Sequence, residues 1–466
     1  MSFSIGCSHA APSLENTLVE ETVRSDIKVG VVSQLIRNRE DISKSFELLS
    51  QAHVDTIRED ISWGNVEVSK GQYKTLPRMD SVVNEASSRG ISPLLILLGP
   101  TPSFYAKGRP FEPENVEPYI KFSEYIVQHY KGKASMYEIG NEWNINNEAK
   151  DDTPEGQKKL ELYVNLLQKL YPRLKKIDPN IKILGPVMTG AGVDRGALEY
   201  MANMGLLKYI DGVSFHEYPH KNRLRSERTP ETAYSWLQSV ESMLMKYNQG
   251  RSVPLYVTET GWPTNLKNPD ARRPAVTMEG QSAFLARTFL LASSLPYMKG
   301  IWWFNFFDKT TGDGEKNFGT QGEPNFGLIS MQSLKSERSP KPAFSALKNV
   351  SQFLGQSKFI GRLSTSDPQI WVLRFSQKAD QQAWAAWSTD EANSRTIELK
   401  SDSISLRSLK ITHGGNNAIS NNSINGNSIK LDLDSQPYLI EGNLSKISIN
   451  SVIKGKTLPA IQAPDR

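Results

Sequence analysis

A chain of 466 residues, 38% hydrophobic and 9% aromatic, has the material for one large domain of α/β-barrel size and an appended smaller one. Its 55 basic and 50 acidic residues leave a net charge of +5. The two signs are interspersed and no Lys/Arg block is interleaved with aromatics, which reads as solvated surface in preference to a nucleic-acid footprint. The only cysteine, Cys7, excludes an intramolecular disulfide and any cysteine-based metal site.

Residues 2–16 are polar, with no apolar stretch of leader or membrane-spanning length. The expectation is a flexible tail over 1–26 carrying an idle thiol. Ser4-Ile5-Gly6-Cys7 has the look of a lipoprotein processing site without its preceding hydrophobic stretch. If Met1 is a late start, the natural chain is exported, to the periplasm, the exterior or a lipid anchor at Cys7; otherwise it is cytoplasmic.

From Ile27 onward short apolar runs alternate with helical stripes. The run 27–32 precedes a helix around Ile42, Phe46 and Leu49, and 54–58 precedes a long polar connection and a helix around Val82, Val83 and Ala86. The run 91–98 is nearly all apolar, as a strand covered on both faces requires. Helix 113–130 then leads to the run 136–139, which ends in Gly140-Asn141-Glu142-Trp143. Tyr163, Leu166, Leu167, Leu170, Leu174 and Ile177 form a clean helical face before the strand 181–186. A shorter helix over 197–207 precedes 211–218, and a stripe from Ala233 to Tyr247 precedes 254–260, which ends in Thr258-Glu259-Thr260-Gly261-Trp262. A helix around Phe284, Leu285, Phe289 and Ala292 and the run 300–308 complete eight alternating units.

Strict alternation gives a parallel sheet, and eight units close it into an α/β TIM (β/α)8 barrel. An open doubly wound sheet is the competitor, but no strand is followed by a Gly-rich phosphate loop. After one more helix to about Leu354 the texture changes to short alternating runs at 370–375, 383–387, 395–399, 406–411, 429–433 and 438–440, with 414–427 as a hairpin loop. These predict a C-terminal antiparallel β-sandwich. The expected division is a tail over 1–26, a catalytic barrel over 27–354 and an accessory sandwich over 355–466. Trp371, Trp384 and Trp387 lie inside alternating strands and are read as core packing in preference to a sugar platform.

On a closed barrel the loops after the fourth and seventh strands share the C-terminal mouth, so Glu142 and Glu259 become neighbours. Two carboxylates there are the equipment for glycosidic hydrolysis, one as proton donor and one as nucleophile or base. The donor must stay protonated near neutral pH, through apolar surroundings or a nearby negative charge, which Trp143 and the second glutamate would supply. Glu259 needs to stay ionised, and Arg58 at the end of the second strand is the nearby cation. Asn141 is a neutral partner for a sugar hydroxyl, and His216 and Tyr218, ending the sixth strand, orient Glu259. Glu138, earlier in the fourth strand, is read as a buried structural pair, and Glu217 alternates outward. Residues 308–322 lack the order of a calcium loop and are read as a mobile roof. His53, His129 and His220 lack metal-ligand spacing. The basic loop with Lys221, Arg223, Arg225 and Arg228 is read as an exposed charged loop, with a contact to an acidic sugar as the alternative.

Gly140-Asn141-Glu142, Thr258-Glu259-Thr260-Gly261-Trp262, Arg58, His216-x-Tyr218 and Arg58-x-Asp60-x-x-Trp63-x-x-x-Glu67-x-x-x-Gly71-x-Tyr73 resemble the clan A glycoside hydrolases over 27–344. Within the clan, the second-strand signature and the β-rich C-terminal domain resemble glycoside hydrolase family 39, which includes β-xylosidases, α-L-iduronidases and exopolysaccharide-cleaving endoglycosidases. The resemblance implies retention of configuration through a covalent glycosyl-enzyme, without a cofactor or metal. It makes Glu142 the acid/base, Glu259 the nucleophile, Asn141 the partner of the 2-hydroxyl, and Arg58, His216 and Tyr218 the supporting shell. Many clan members carry a Trp in the last strand where this chain has Phe304; of the adjacent Trp302 and Trp303, Trp303 is the expected sugar platform. Retaining chemistry separates the carboxyls by about 5 to 5.5 Å and inverting chemistry by about 6.5 to 9.5 Å. The expected partner is an oligosaccharide or polysaccharide, with no nucleic acid and no membrane span. The alternatives are a transglycosidase and a carbohydrate-binding barrel without turnover.

Overall fold

A computed structural model describes residues 25–38, 40–144, 153–264, 274–308, 325–330, 338–378, 381–400, 406–410, 424–425, 428–442, 444 and 448–462. The expected tail, apart from Ser25 and Asp26, the expected roof beyond Asp308 and most of the hairpin loop 414–427 lie outside these residues. Eight parallel strands close into a barrel: β1 Lys28–Val32, β2 Thr56–Ser62, β3 Ser92–Leu98, β4 Met136–Ile139, β5 Lys182–Thr189, β6 Gly212–His216, β7 Leu255–Thr260 and β8 Met298–Trp303. Closure comes from β1 pairing with both β2 and β8. The helices α1 Ile42–Gln51, α2 Pro77–Ser88, α3 Pro113–His129, α4 Pro154–Ile177, α5 Ala197–Asn203, α6 Pro230–Met245, α7 Met278–Ser293 and α8 Pro342–Leu354 each follow one strand.

Local chemistry starts these helices cleanly. Proline opens α2, α3, α4, α6 and α8, where its missing N–H costs nothing. The side chains of Asp41, Thr153 and Thr277 accept from backbone N–H groups in the first turns of α1, α4 and α7. Inside the barrel, Val32, Leu94, Met136, Leu184, Tyr256 and Trp302 pack together, with Phe304 and Phe326 in the same cluster. Trp302 fits because Gly30 and Gly300 present no Cβ where its indole lies, and Gly212 does the same for Tyr256.

The C-terminal region holds two antiparallel sheets. One has the order β9 Lys358–Leu363, β10 Ile370–Ser376, β11 Gln382–Ser388, β16 Tyr438–Gly442, β13 Leu406–Lys410; the other is β14 Ile424–Asn425, β15 Ser428–Leu433, β12 Asn393–Lys400, β17 Ser448–Thr457. Trp384 is buried between them with Ile397, Leu399, Leu431 and Ile440. Trp371 and Trp387 stack on each other at 5.9 Å and 8° and face the barrel instead. Tyr234 of α6 packs edge-on to Trp371 at 5.6 Å, and the Trp387 indole donates to Glu231 at 2.8 Å. Glu231 also pairs with Arg287 of α7, whose side chain is fully buried, so a charged lock joins the sandwich to the helical layer.

Candidate active site

The site is built around Arg58, 1% exposed, which β2 delivers inward. Its Nε donates to Glu138 at 2.6 Å, Nη1 to Glu259 at 2.6 Å and Nη2 to the Asn141 Oδ1 at 2.7 Å. Burial alone would lower its pKa, but Glu138, Glu259 and Asp60 outweigh burial and raise it above the usual arginine range. Nη2 also lies 3.2 Å from Nε2 of His216. A guanidinium has only donors, so Nε2 faces it as an acceptor and Nδ1 is the ring's donor.

That Nδ1 faces Glu142 Oε1 at 2.7 Å and Glu259 Oε2 at 3.4 Å. Glu142 reaches it because the chain turns sharply after β4: Gly140 has φ +85° and Glu142 itself φ +39°, while the Glu142 N–H donates to Val187 at 2.9 Å. A glutamate in the left-handed region is held there by its surroundings, as is common at functional sites. The other oxygen of the Glu259 pair, Oε2, accepts from the Tyr218 hydroxyl at 2.7 Å. Glu142, His216 and Glu259 each offer an atom within 4.8 Å of the other two. The structure therefore brings Glu142, Glu259, Arg58, Asn141, His216 and Tyr218 together at one mouth.

Burial pushes the Glu142 carboxyl up, but His216 at hydrogen-bond range, then Lys221 and Arg58, pull harder and hold it below the ordinary range. Lys221 stands 4.6 Å over the Tyr218 ring. Trp143 does not supply the expected apolar wall to the carboxyl: its indole donates to the Pro186 carbonyl at 2.7 Å and stacks on Tyr163 of α4 at 4.5 Å. The low pKa of Glu142 thus reflects cations and a donor where apolar cover was anticipated.

Glu142, His216 and Glu259 have the donor types of a metal site. Both Glu259 oxygens, however, accept from Arg58 and Tyr218, and a fixed guanidinium at 2.6 Å opposes a divalent cation there. The residues fit hydrogen-bonded carboxylates better than a metal centre.

Trp303 is fully buried, stacked at 5.9 Å on Trp262 and donating to the Phe326 carbonyl at 3.3 Å. It lies in the layer between barrel and helices, so it corrects the expected platform. Along this strand Trp302 points into the barrel, Trp303 out and Phe304 in again, and Phe304 stands edge-on to Tyr218 at 6.2 Å. Period-two alternation would have found this in the sequence. Glu138 is fully buried and anchors Arg58, so the residue read as a structural pair carries the site's central cation. Glu217 points away from the mouth as expected, its carboxyl lying in the space left by Gly190. The basic loop is not simply exposed: Arg228 is 1% exposed and donates to the carbonyls of Asn222 and Arg223, and Arg225 pairs with Glu391 of the sandwich at 2.9 Å.

Solved structures share this architecture. A family 39 glycoside hydrolase from the gut symbiont Bacteroides cellulosilyticus is 26% identical with a TM-score of 0.68, over 90% of this chain and 81% of that one. A family 39 β-xylosidase from Caulobacter crescentus is 16% identical with a TM-score of 0.58, over 90% and 97% of the two chains. A family 30 endoxylanase from Clostridium papyrosolvens is 13% identical with a TM-score of 0.59, over 91% and 98%. No protein-family model and no curated protein matches the chain. The closed barrel is that of these neighbours, which are glycoside hydrolases of families 39 and 30. Of these three, the family 39 hydrolase from Bacteroides cellulosilyticus shares the most identity with the chain. Among the described residues no helix is long and apolar enough to cross a membrane.

Proposed function

We propose that the chain hydrolyses an oligo- or polysaccharide with retention, by double displacement on Glu259 and Glu142. One observation carries the reading: a Glu142 oxygen and a Glu259 oxygen lie within 4.8 Å of each other. That close approach favours the separation of about 5 to 5.5 Å of retaining pairs over the about 6.5 to 9.5 Å of inverting pairs. Glu259, held by Arg58 and Tyr218, attacks the anomeric carbon while Glu142, in its protonated form, gives its proton to the leaving oxygen; because the Glu142 carboxyl is held low in the free enzyme, that form grows as pH falls. The same Glu142, now a carboxylate, takes a proton from water, which displaces Glu259 and releases the sugar.

Asn141, with Oδ1 fixed by Arg58, keeps its Nδ2 as a donor to the 2-hydroxyl. His216 sets the orientation of Glu142. In this reading residues 27–354 are the catalytic domain and 355–466 an accessory sandwich. The test is the pair of variants Glu142→Gln and Glu259→Gln on a chromogenic glycoside. Each is expected to lose about 10³-fold in kcat, in the range of general acid–base and nucleophile loss, with unfolding unchanged. Turnover like the parent in either variant overturns the assignment, and transfer to an added sugar in preference to water reassigns the enzyme as a transglycosidase.

A further inference from the structure

A cavity of about 510 Å3 opens beside Glu142, between the end of β4 and the loop 99–110 that follows β3. Asn141 and Glu142 line one side, and Thr101, Arg109 and Phe111 the other. Its volume falls in the span of about 300 to 1,000 Å3 typical of small-molecule sites. Arg109 is the cation in its wall. One of its N–H groups donates to the Trp143 carbonyl, and its guanidinium lies 5.8 Å over the Phe111 ring.

This guanidinium is half-buried, and no carboxylate of the described residues lies within ion-pair range of it. Glu112 acts on it only from farther away, and burial holds its pKa below the ordinary arginine value. A desolvated cation without a counter-charge is unfavourable, and an anion entering the cavity would offset that cost. The planar fork has four N–H donors beyond the one given to Trp143, which matches the two oxygens of a carboxylate or sulfate. Lys221, which stands over the Tyr218 ring and also acts on the Glu142 carboxyl, is a second positive charge near Glu142 but not part of this lining.

We propose that this cavity is a subsite for an acidic sugar unit, in which Arg109 binds a carboxylate or sulfate group, so that the glycan cleaved at Glu142 is anionic. The proposal rests on the glycosidase reading for its link to cleavage but not for binding. It is tested by titrating the full chain calorimetrically with glucose, glucuronate and glucose 6-sulfate, and repeating the titrations with Arg109→Gln and Arg109→Lys. The expected result is an affinity for the anionic sugars at least about ten-fold above that for glucose. Arg109→Gln brings the ratio close to one, and Arg109→Lys keeps part of it. A merely structural role for the Trp143 contact would weaken all three sugars together and leave the ratio in place. Preference for glucuronate alone assigns a carboxylate, for glucose 6-sulfate alone a sulfate, and for both a general anion. No binding, equal binding of the three sugars, or a preference that survives Arg109→Gln overturns the subsite. Arg109-dependent anion binding in a chain that cleaves no glycoside would instead overturn the glycosidase reading and leave the subsite standing.

Discussion

Arg58→Met is the perturbation that separates stability from function at this site. Arg58 is the ion-pair partner of Glu138, whose side chain is wholly buried. Removing one partner of a buried pair strands the other and costs about 3 to 5 kcal/mol, a large share of a typical stability of about 5 to 15 kcal/mol. Removing both partners together is close to neutral, so Arg58→Met with Glu138→Met is expected to recover most of that loss. Activity follows a different rule. Glu259 and Asn141 still lack the donors that held them at 2.6 and 2.7 Å, and one charge-assisted hydrogen bond is worth about 1.5 to 3 kcal/mol. For Glu259 alone that is about a ten- to hundredfold fall in kcat/KM, in the single and the double variant alike. The assays are urea unfolding followed by tryptophan fluorescence and kcat/KM on a chromogenic glycoside. Recovery of activity together with stability in the double variant would refute the idea that Arg58 acts on Glu259, and a single variant as stable as the parent would refute the buried pair.

Tyr218→Phe removes the hydroxyl that donates to Glu259 at 2.7 Å and is expected to lower kcat/KM about tenfold or more with unchanged thermal unfolding; a parental rate refutes the contact. His216→Asn removes the partner that pulls the Glu142 carboxyl down, so the alkaline limb of the kcat/KM profile moves to higher pH, and a limb that stays or moves lower contradicts this. Burial, then Asp194, push the Glu217 carboxyl up to about 8 from 4.5. Its contribution to stability is complete below pH 4.5 and is lost as pH rises through about 8, because the unfolded chain ionises first. Glu217→Gln therefore flattens the fall of Tm over that window, and an unchanged slope counts against the shift. Trp387→Phe deletes the indole bond to Glu231 and is expected to cost about 1 to 3 kcal/mol; unfolding as stable as the parent's would show that the lock between sandwich and barrel carries no weight.

The barrel was legible because its strands are short, nearly continuous apolar runs separated by amphipathic stripes, and β3, with five of its seven residues buried, is the clearest of them. Glu142 and Glu259 stand out because each lies at or just beyond the C-terminal end of such a run. Other features depend on side-chain direction or long-range contact, which apolar content does not report. The outward turn of Trp303 and the inward turn of Phe304 were written in alternation, but three consecutive aromatics masked it. The strand Lys358–Leu363 and the strand Ser448–Thr457 are rich in polar and exposed positions, so they gave no apolar signal. Glu138 is legible as half of a buried pair, but the separation of 80 positions hides that its partner is Arg58. The fall in the Glu142 pKa arises from His216, Lys221 and Arg58, which meet it only after the barrel closes.

The most direct measurement is mass spectrometry of the chain after reaction with an activated 2-deoxy-2-fluoro glycoside, whose electron-poor ring slows release of a covalent intermediate more than its formation. The account predicts one added glycosyl unit on the peptide that contains Glu259, and its loss when an acceptor sugar or time allows turnover. Continued hydrolysis with no adduct on Glu259, and with the released sugar in the inverted configuration, would contradict it.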